Sequence, residues 1–218
     1  MAEKIVDTIG KSALKSTNKY ALEACALVKQ YKNSTSPALD NFTLQVKKGE
    51  FFGLLGPNGA GKTTIISILS NLFPPDNGIV KVMGAEFRQR PNSIKKILGL
   101  VPQDVALYDN LTARENLAFF GKLCGLKGNP LQEEINRSLD FAGLEEQATR
   151  LVATYSGGMK RRLNLAAGLL HNPQILFLDE PTAALDTSAE AKLLNSLKHL
   201  SQSDLLSLII ATHRHSTL

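Results

Sequence analysis

The sequence predicts a layered α/β domain built on a mostly parallel sheet. Two observations point there. Short β-like runs alternate along the chain with segments of helical period, and two of those runs, "EFFGLLG" and "QILFLDEPT", are apolar in the way of strands covered on both faces. A length of 218 residues with 43% hydrophobic content suits one such unit with a sizeable core and leaves room for a smaller inserted lobe.

Taken in order, the first 30 residues mix Lys4, Lys11, Lys15 and Lys19 with Glu3, Asp7 and Glu23, which is no secretory signal; residues 1–20 read as a loosely ordered extension. In "NFTLQV" a period of two puts Phe42, Leu44 and Val46 on one face of a strand. "EFFGLLG" follows and is expected to be a central buried strand. The period then changes to 3.6: Ile65, Ile68, Leu69 and Leu72 share one helical stripe, which "PPDNG" is expected to stop. Further on, Thr112 and Glu115 form a capping box ahead of "NLAFFGKLCGL", and Asn129 with Pro130 opens a helix bearing Leu131, Ile135 and Leu139. Ser156 can cap a helix whose apolar stripe is Leu163, Ala166, Ala167 and Leu170. The last strong signal is Ile175, Leu176, Phe177 and Leu178, a buried strand that delivers Asp179 and Glu180 to its end.

Composition narrows the chemistry. Lys and Arg total 25 against 20 acidic residues, and the surplus is spread along the chain, which fits a phosphate ligand or an acidic surface. Cys25 and Cys124 stand far apart without CxxC spacing, so neither a disulfide framework nor a zinc site is suggested and a reducing compartment is the simpler reading. The His213-x-His215 pair lacks the further ligands a metal site needs. No apolar run approaches the ~20 residues that span a bilayer.

The strand, turn and helix around "GLLGPNGAGKTTIISIL" carry the sharpest motif. Gly56, Gly59, Gly61, Lys62 and Thr63 satisfy G-x-x-x-x-G-K-[ST]. Glycine allows backbone angles and a close approach that a Cβ would block, so successive N–H groups can face an anion, and the helix that starts there adds its own unpaired N–H groups. Lys62 would reach the β- and γ-phosphates, and the Thr63 hydroxyl would take a Mg²⁺ position. Asp179 would hold Mg²⁺ directly or through water, while Glu180 would orient or deprotonate the water attacking the γ-phosphate. A glycine-preceded helix start at Ser156 offers a second place for an anion.

These residues, in this order, resemble the nucleotide-binding subunit of an ATP-binding-cassette (ABC) transporter. Tyr31 matches the family's adenine-stacking aromatic, and "GPNGAGKTT", Gly56 through Pro57, Asn58, Ala60 and Thr64, its phosphate loop. "LVPQD" puts Gln103 at the glutamine hinge, "YSGGMKRR" is similar to the signature motif, "ILFLDEPTAALD" matches the metal strand, base and D-loop, and "IIATHRH" places His213 at the switch histidine. The resemblance covers roughly residues 21–213. It implies a P-loop NTPase core with an N-terminal antiparallel β subdomain and a helical subdomain over approximately 104–160 that grips a membrane partner.

It also implies ATP and Mg²⁺ as cofactors, with Gln103 a metal contact and phosphate sensor and His213 catalytic beside Glu180. Two cassettes, identical or different, would meet head to tail, so that Ser156, Gly157 and Gly158 approach the phosphate held by the facing subunit. The implied partner is a separate transmembrane permease, the implied location the cytoplasmic face of a membrane, and no nucleic acid is expected. "LTARENLAFFGKLCGL" with "SGGMKRR" is most similar to exporter-type cassettes. Three departures stand out: Met159 in place of a frequent glutamine, Ala184 in place of the D-loop glycine, and a chain that stops five residues after His213, where cassettes continue with more strands and a helix. The last of these is expected to leave a shortened cassette. A soluble cassette ATPase, or a nucleotide-binding protein with little hydrolysis, stays open as an alternative at this point.

Overall fold

The structure, a computed structural model, describes residues 19–32, 34–89, 91–182, 187–204 and 206–213. The expectations for residues 1–18, Ala184, Leu185, Asp186 and His215 lie outside the described residues.

The described residues form two sheets. Strands β1 (Tyr20–Lys29), β2 (Leu39–Lys47), β4 (Asn77–Val82) and β5 (Ala85–Glu86) form an antiparallel sheet in the order β2-β1-β4-β5. Strands β3 (Phe51–Leu55), β6 (Leu98–Val101), β7 (Ile175–Asp179) and β8 (Ser207–Thr212) form a parallel sheet in the order β3-β8-β7-β6. Parallel strands need crossover connections, and the long helices supply them. These are α1 (Lys62–Leu69), α3 (Ala113–Leu123), α4 (Gly128–Ala142), α5 (Gly157–Leu169) and α6 (Thr187–Asp204), with a short α2 (Pro91–Lys95) before β6.

The side-chain alternation of β7 and β8 divides the core into layers. Ile175, Phe177, Ile209 and Ala211 face α1 and the antiparallel sheet, where Leu22, Val80 and Ile68 complete one cluster. Leu176, Leu178, Leu208 and Ile210 face the other way, onto Leu165 of α5 and Leu193, Leu194 and Leu197 of α6. A third cluster lies within the helical lobe. There Leu117 of α3 and Leu131, Ile135 and Leu139 of α4 pack on Leu163, Ala166 and Leu170 at α5. The inserted helices and the antiparallel sheet expected from the family resemblance are thus both present.

Caps follow the sequence signals. Thr112 accepts the Glu115 N–H at 3.1 Å while the Glu115 carboxylate accepts the Thr112 N–H at 2.8 Å, completing the box, and Ser156 accepts the Met159 N–H at 3.3 Å. Helix α5 can lie close on β6 because two glycines meet there. A Cβ on Gly168 would come 2.5 Å from Val101 Cγ2, and one on Gly99 would come 2.6 Å from the Gly168 carbonyl oxygen.

Two expectations need correction. Leu72 does not belong to the apolar stripe of α1; it is 64% exposed. The helix ends at Leu69, well before "PPDNG", because Asn71 takes a left-handed φ of 62° and the Leu72 N–H returns to the Ser67 carbonyl at 2.9 Å, with the Asn71 N–H on Ile68 at 3.1 Å. The second concerns β3, expected at the centre of the sheet. Among the described residues it is an end strand, paired with β8 alone. Its cover is partial on both sides: Phe52 and buried Leu54 pack toward the α1 side and Phe51 toward α6, while Leu55 is 45% exposed. A run apolar on both faces reports what lies above and below a strand, not how many strands lie beside it.

Candidate functional site

Strand β3 leads directly into the glycine-rich loop, and the loop into α1. Gly61 is the residue before the first turn of α1, with φ 83°, and no side chain caps that helix start. A Cβ at Gly61 would meet the Ala38 carbonyl oxygen at 2.6 Å, so both the dihedral and the space demand glycine. Lys62 is 9% exposed. Its Nζ donates to the carbonyls of Gly56 at 2.7 Å and Pro57 at 3.0 Å, so the side chain folds back over the loop that precedes it.

Strand β7 brings the carboxylates to the same place. Asp179 and Glu180 are both buried, and Lys62 Nζ lies 4.0 Å from Glu180 Oε1. Glu180 sits just past the strand with φ 48°, a left-handed conformation that costs a side-chain-bearing residue about 1–3 kcal/mol. Main-chain bonds hold it there: its N–H reaches the Ala211 carbonyl at 2.9 Å, and its carbonyl accepts from Arg161. The Glu180 carboxylate then meets His213 Nδ1 at 2.9 Å and the Thr212 hydroxyl at 3.5 Å.

Burial pushes the Asp179 carboxyl above the ordinary carboxylate range. The hydrogen bond with Thr63 pulls it down, the Glu180 charge pushes it up, and Lys62 and Arg161 pull it down again. A carboxyl whose native pKa is raised costs nothing at low pH, where folded and unfolded chains are both neutral. The cost grows as pH climbs from the unfolded value to the raised native one and persists above it. Asp179→Asn is therefore expected to raise the melting temperature of the nucleotide-free protein at neutral pH, with the gain shrinking as the solution is acidified. A melting temperature lowered at every pH would show that the Thr63 bond outweighs burial.

One cleft of about 470 Å³ gathers most of the residues expected from sequence: Tyr31, Asn58, Gly59, Gly61, Lys62, Thr63, Thr64, Gln103, Asp179, Glu180 and His213 line it. Gly56, Pro57 and Ala60 belong to the same loop, where the Ala60 N–H bonds the Pro57 carbonyl at 3.2 Å. Tyr31 stands at the mouth, 45% exposed, its hydroxyl 3.1 Å from Thr64 Oγ1 and its ring edge-on to Phe73 at 6.5 Å between centroids. Ser156 and Gly158 are not part of this cleft. They line a separate one of about 630 Å³ with Met159, Arg162 and Lys192, between the helical lobe and α6. Gly157 lies with them at the start of α5.

Arg161 is the residue that sequence reading passed over. Only 5% exposed, it sends its guanidinium from α5 to the carbonyls of Pro102, Gln103, Asp179, Glu180 and Pro181. Burial pulls its pKa below the usual arginine value, against the charges of Asp179, Glu180 and Asp104. In "MKRR" a buried arginine looks the same as a solvated one, so no local signal distinguishes it.

A parallel α/β sheet with a glycine loop at one strand end and paired carboxylates at another, flanked by an antiparallel sheet and a helical lobe, defines a phosphate-loop cassette. The chain belongs to the ABC transporter family, whose profile matches residues 39–183. It is 41% identical over 192 residues to the linearmycin resistance ATP-binding protein LnrL of Bacillus subtilis, covering 88% of this chain and 61% of that protein. It is 42% identical over 189 residues to the Nod factor export ATP-binding protein I of Sinorhizobium fredii, covering 87% of this chain and 54% of that one. The chain thus spans somewhat more than half the length of these relatives. Among solved structures, the dimeric post-hydrolysis state of the ATP-binding cassette MJ0796 bound to ADP and Pi superposes with a TM-score of 0.82 at 29% identity, over 90% of this chain and 89% of that one. CbiO1 from Clostridium perfringens, part of the ABC transporter complex cbiONQ, does so with a TM-score of 0.80 at 26% identity, over 90% and 79%.

Proposed function

We propose that this chain is the ATP-hydrolysing cassette of a membrane exporter, acting on the cytoplasmic face with a separate transmembrane permease. The observation that carries the proposal is the meeting, in one cleft, of a glycine loop at the start of α1 with Lys62 on one side and the Asp179–Glu180 pair on the other. The export direction rests on relatives named for drug resistance and Nod factor export.

The donor set fits the implied ligands. Thr63 and Asp179 line the same cleft, and the Thr63 side chain is near enough to lower the Asp179 pKa, so two hard oxygen donors converge at the end of a phosphate loop, which suits Mg²⁺. Bound there, Mg²⁺ would neutralise charge on the phosphate oxygens. The loop N–H groups and Lys62 hold the phosphates, and Tyr31 offers an exposed ring at the cleft mouth for a base. Glu180 takes a proton from the attacking water; His213, within hydrogen-bond reach of the same carboxylate, orients it. Gln103 lines the cleft from the loop that leads into the helical lobe, and so links phosphate occupancy to lobe position.

Ser156 and Gly158 lie in a different cleft of the chain, a separation that supports a site completed by a second cassette placed head to tail. Among the described residues no helix is long and apolar enough to cross a membrane, in keeping with a permease supplied by another segment or chain.

Addition of Mg-ATP at about a hundredfold excess over its dissociation constant is expected to raise the melting temperature by about 5–10 °C. Steady hydrolysis of ATP to ADP and phosphate should accompany it. A protein whose melting curve ignores Mg-ATP would have no working nucleotide site, and the proposal would fail.

A further inference from the structure

We infer that Arg161 is a positioning residue for hydrolysis, one that fixes the base Glu180 and the hinge residue Gln103 to the same point on helix α5. The inference rests on the reading of Glu180 as the base. A guanidinium carries five N–H donors, and here all five bonds end on main-chain carbonyls: Nε on Pro181 at 2.9 Å, Nη1 on Pro102 at 3.2 Å and Gln103 at 2.7 Å, Nη2 on Asp179 at 3.2 Å and on Glu180.

The choice of acceptors is what separates this from an ordinary buried ion pair. Two carboxylates stand nearby, yet the guanidinium binds the backbone beside them and leaves Asp179 and Glu180 side chains directed to the cleft. It grips the chain on both sides of Glu180, the residue with the left-handed φ of 48°. A backbone conformation of that kind persists only where its surroundings over-determine it, and Arg161 supplies one of the main-chain bonds at that residue, beside the one to Ala211.

The other end of the fork holds the hinge. Two neighbours on α5 grip the same loop further along: Lys160 pairs with Asp109 at 2.7 Å, and the Asn164 side-chain oxygen accepts the Ala106 N–H at 3.2 Å. Of the three, Arg161 is the one that also reaches the end of β7. A shift of α5 is therefore delivered to Gln103 and to Glu180 together, through a single side chain.

Lysine has three donors on one nitrogen and cannot span five carbonyls. Arg161→Met, which keeps an unbranched stem, is expected to lower kcat for ATP by about 10- to 100-fold through misplacement of the base. KM and Mg-ATP affinity should stay within about threefold, since neither phosphate nor metal contacts are removed. Arg161→Lys should recover only part of the rate, and its retained stem and charge keep the test usable where the methionine variant does not fold. In a Glu180→Gln background, adding Arg161→Met should cause little further loss, because the base it positions is already gone.

A folded Arg161→Met protein with the parent kcat would overturn the inference, as would equal losses in kcat and nucleotide affinity, or a full tenfold further loss in the double variant. None of these outcomes touches the role of Glu180. That role fails separately, if Glu180→Gln alone hydrolyses ATP at the parent rate.

Discussion

Glu180→Gln is expected to lower steady-state ATP hydrolysis by about 10²–10⁴-fold, the range that a positioned general base contributes. The substitution is isosteric, and the glutamine side-chain oxygen can still accept from His213 Nδ1, which sits 2.9 Å from the carboxylate. The main-chain anchors of residue 180, on Ala211 and Arg161, do not involve the side chain at all. Loss of activity should therefore come without loss of fold. Nucleotide affinity should hold or rise, because removing a negative charge 4.0 Å from Lys62 frees that lysine for phosphate and removes repulsion from the anionic ligand. With hydrolysis blocked, ATP-bound dimers should accumulate. Single-turnover hydrolysis, ATP binding and size-exclusion chromatography with Mg-ATP report the three quantities, and a variant that turns over ATP like the parent would remove Glu180 from the base role.

Lys62→Ala acts on a different step. A hydrogen bond between charged groups is worth about 1.5–3 kcal/mol, which converts to a loss of roughly 10- to 100-fold in ATP affinity. Lys62 also donates to the Gly56 and Pro57 carbonyls, so its removal leaves the loop without two of its internal ties and adds a cost of reordering on binding. Equilibrium binding of a fluorescent ATP analogue would measure the effect. Because its hydrogen bonds end on the loop's own carbonyls and its pairing with Glu180 is a loose 4.0 Å, stability without nucleotide should change less than affinity. An alanine variant that binds ATP like the parent would count against phosphate contact by Lys62.

Much of this architecture was legible in the chain. The alternation of Ile175 to Leu178 between two faces, the capping box at Thr112, the Ser156 cap and the buried stripe of Leu131, Ile135 and Leu139 are local patterns set by the geometry of strand and helix. The glycine motif was legible for the same reason, since Gly61 is demanded by a dihedral angle. What could not be read depends on partners distant in sequence. The end position of β3 is decided by which strands pair with it, and no periodicity encodes that. Leu72 falls outside the stripe because Asn71 ends the helix with a left-handed residue other than glycine. Arg161 leaves no mark in the sequence because its acceptors lie 18 to 59 residues away and are carbonyls, which carry no side-chain signature.

Helix α5 gives Leu165 to the sheet-side core and Leu163, Ala166 and Leu170 to the helical lobe, and its Gly168 leaves no gap over β6. Such a party wall makes the two compartments thermodynamic neighbours. Melting α5 strips a lining from both rooms at once, so the lobe and the sheet share a single cooperative breaking point instead of unfolding in turn.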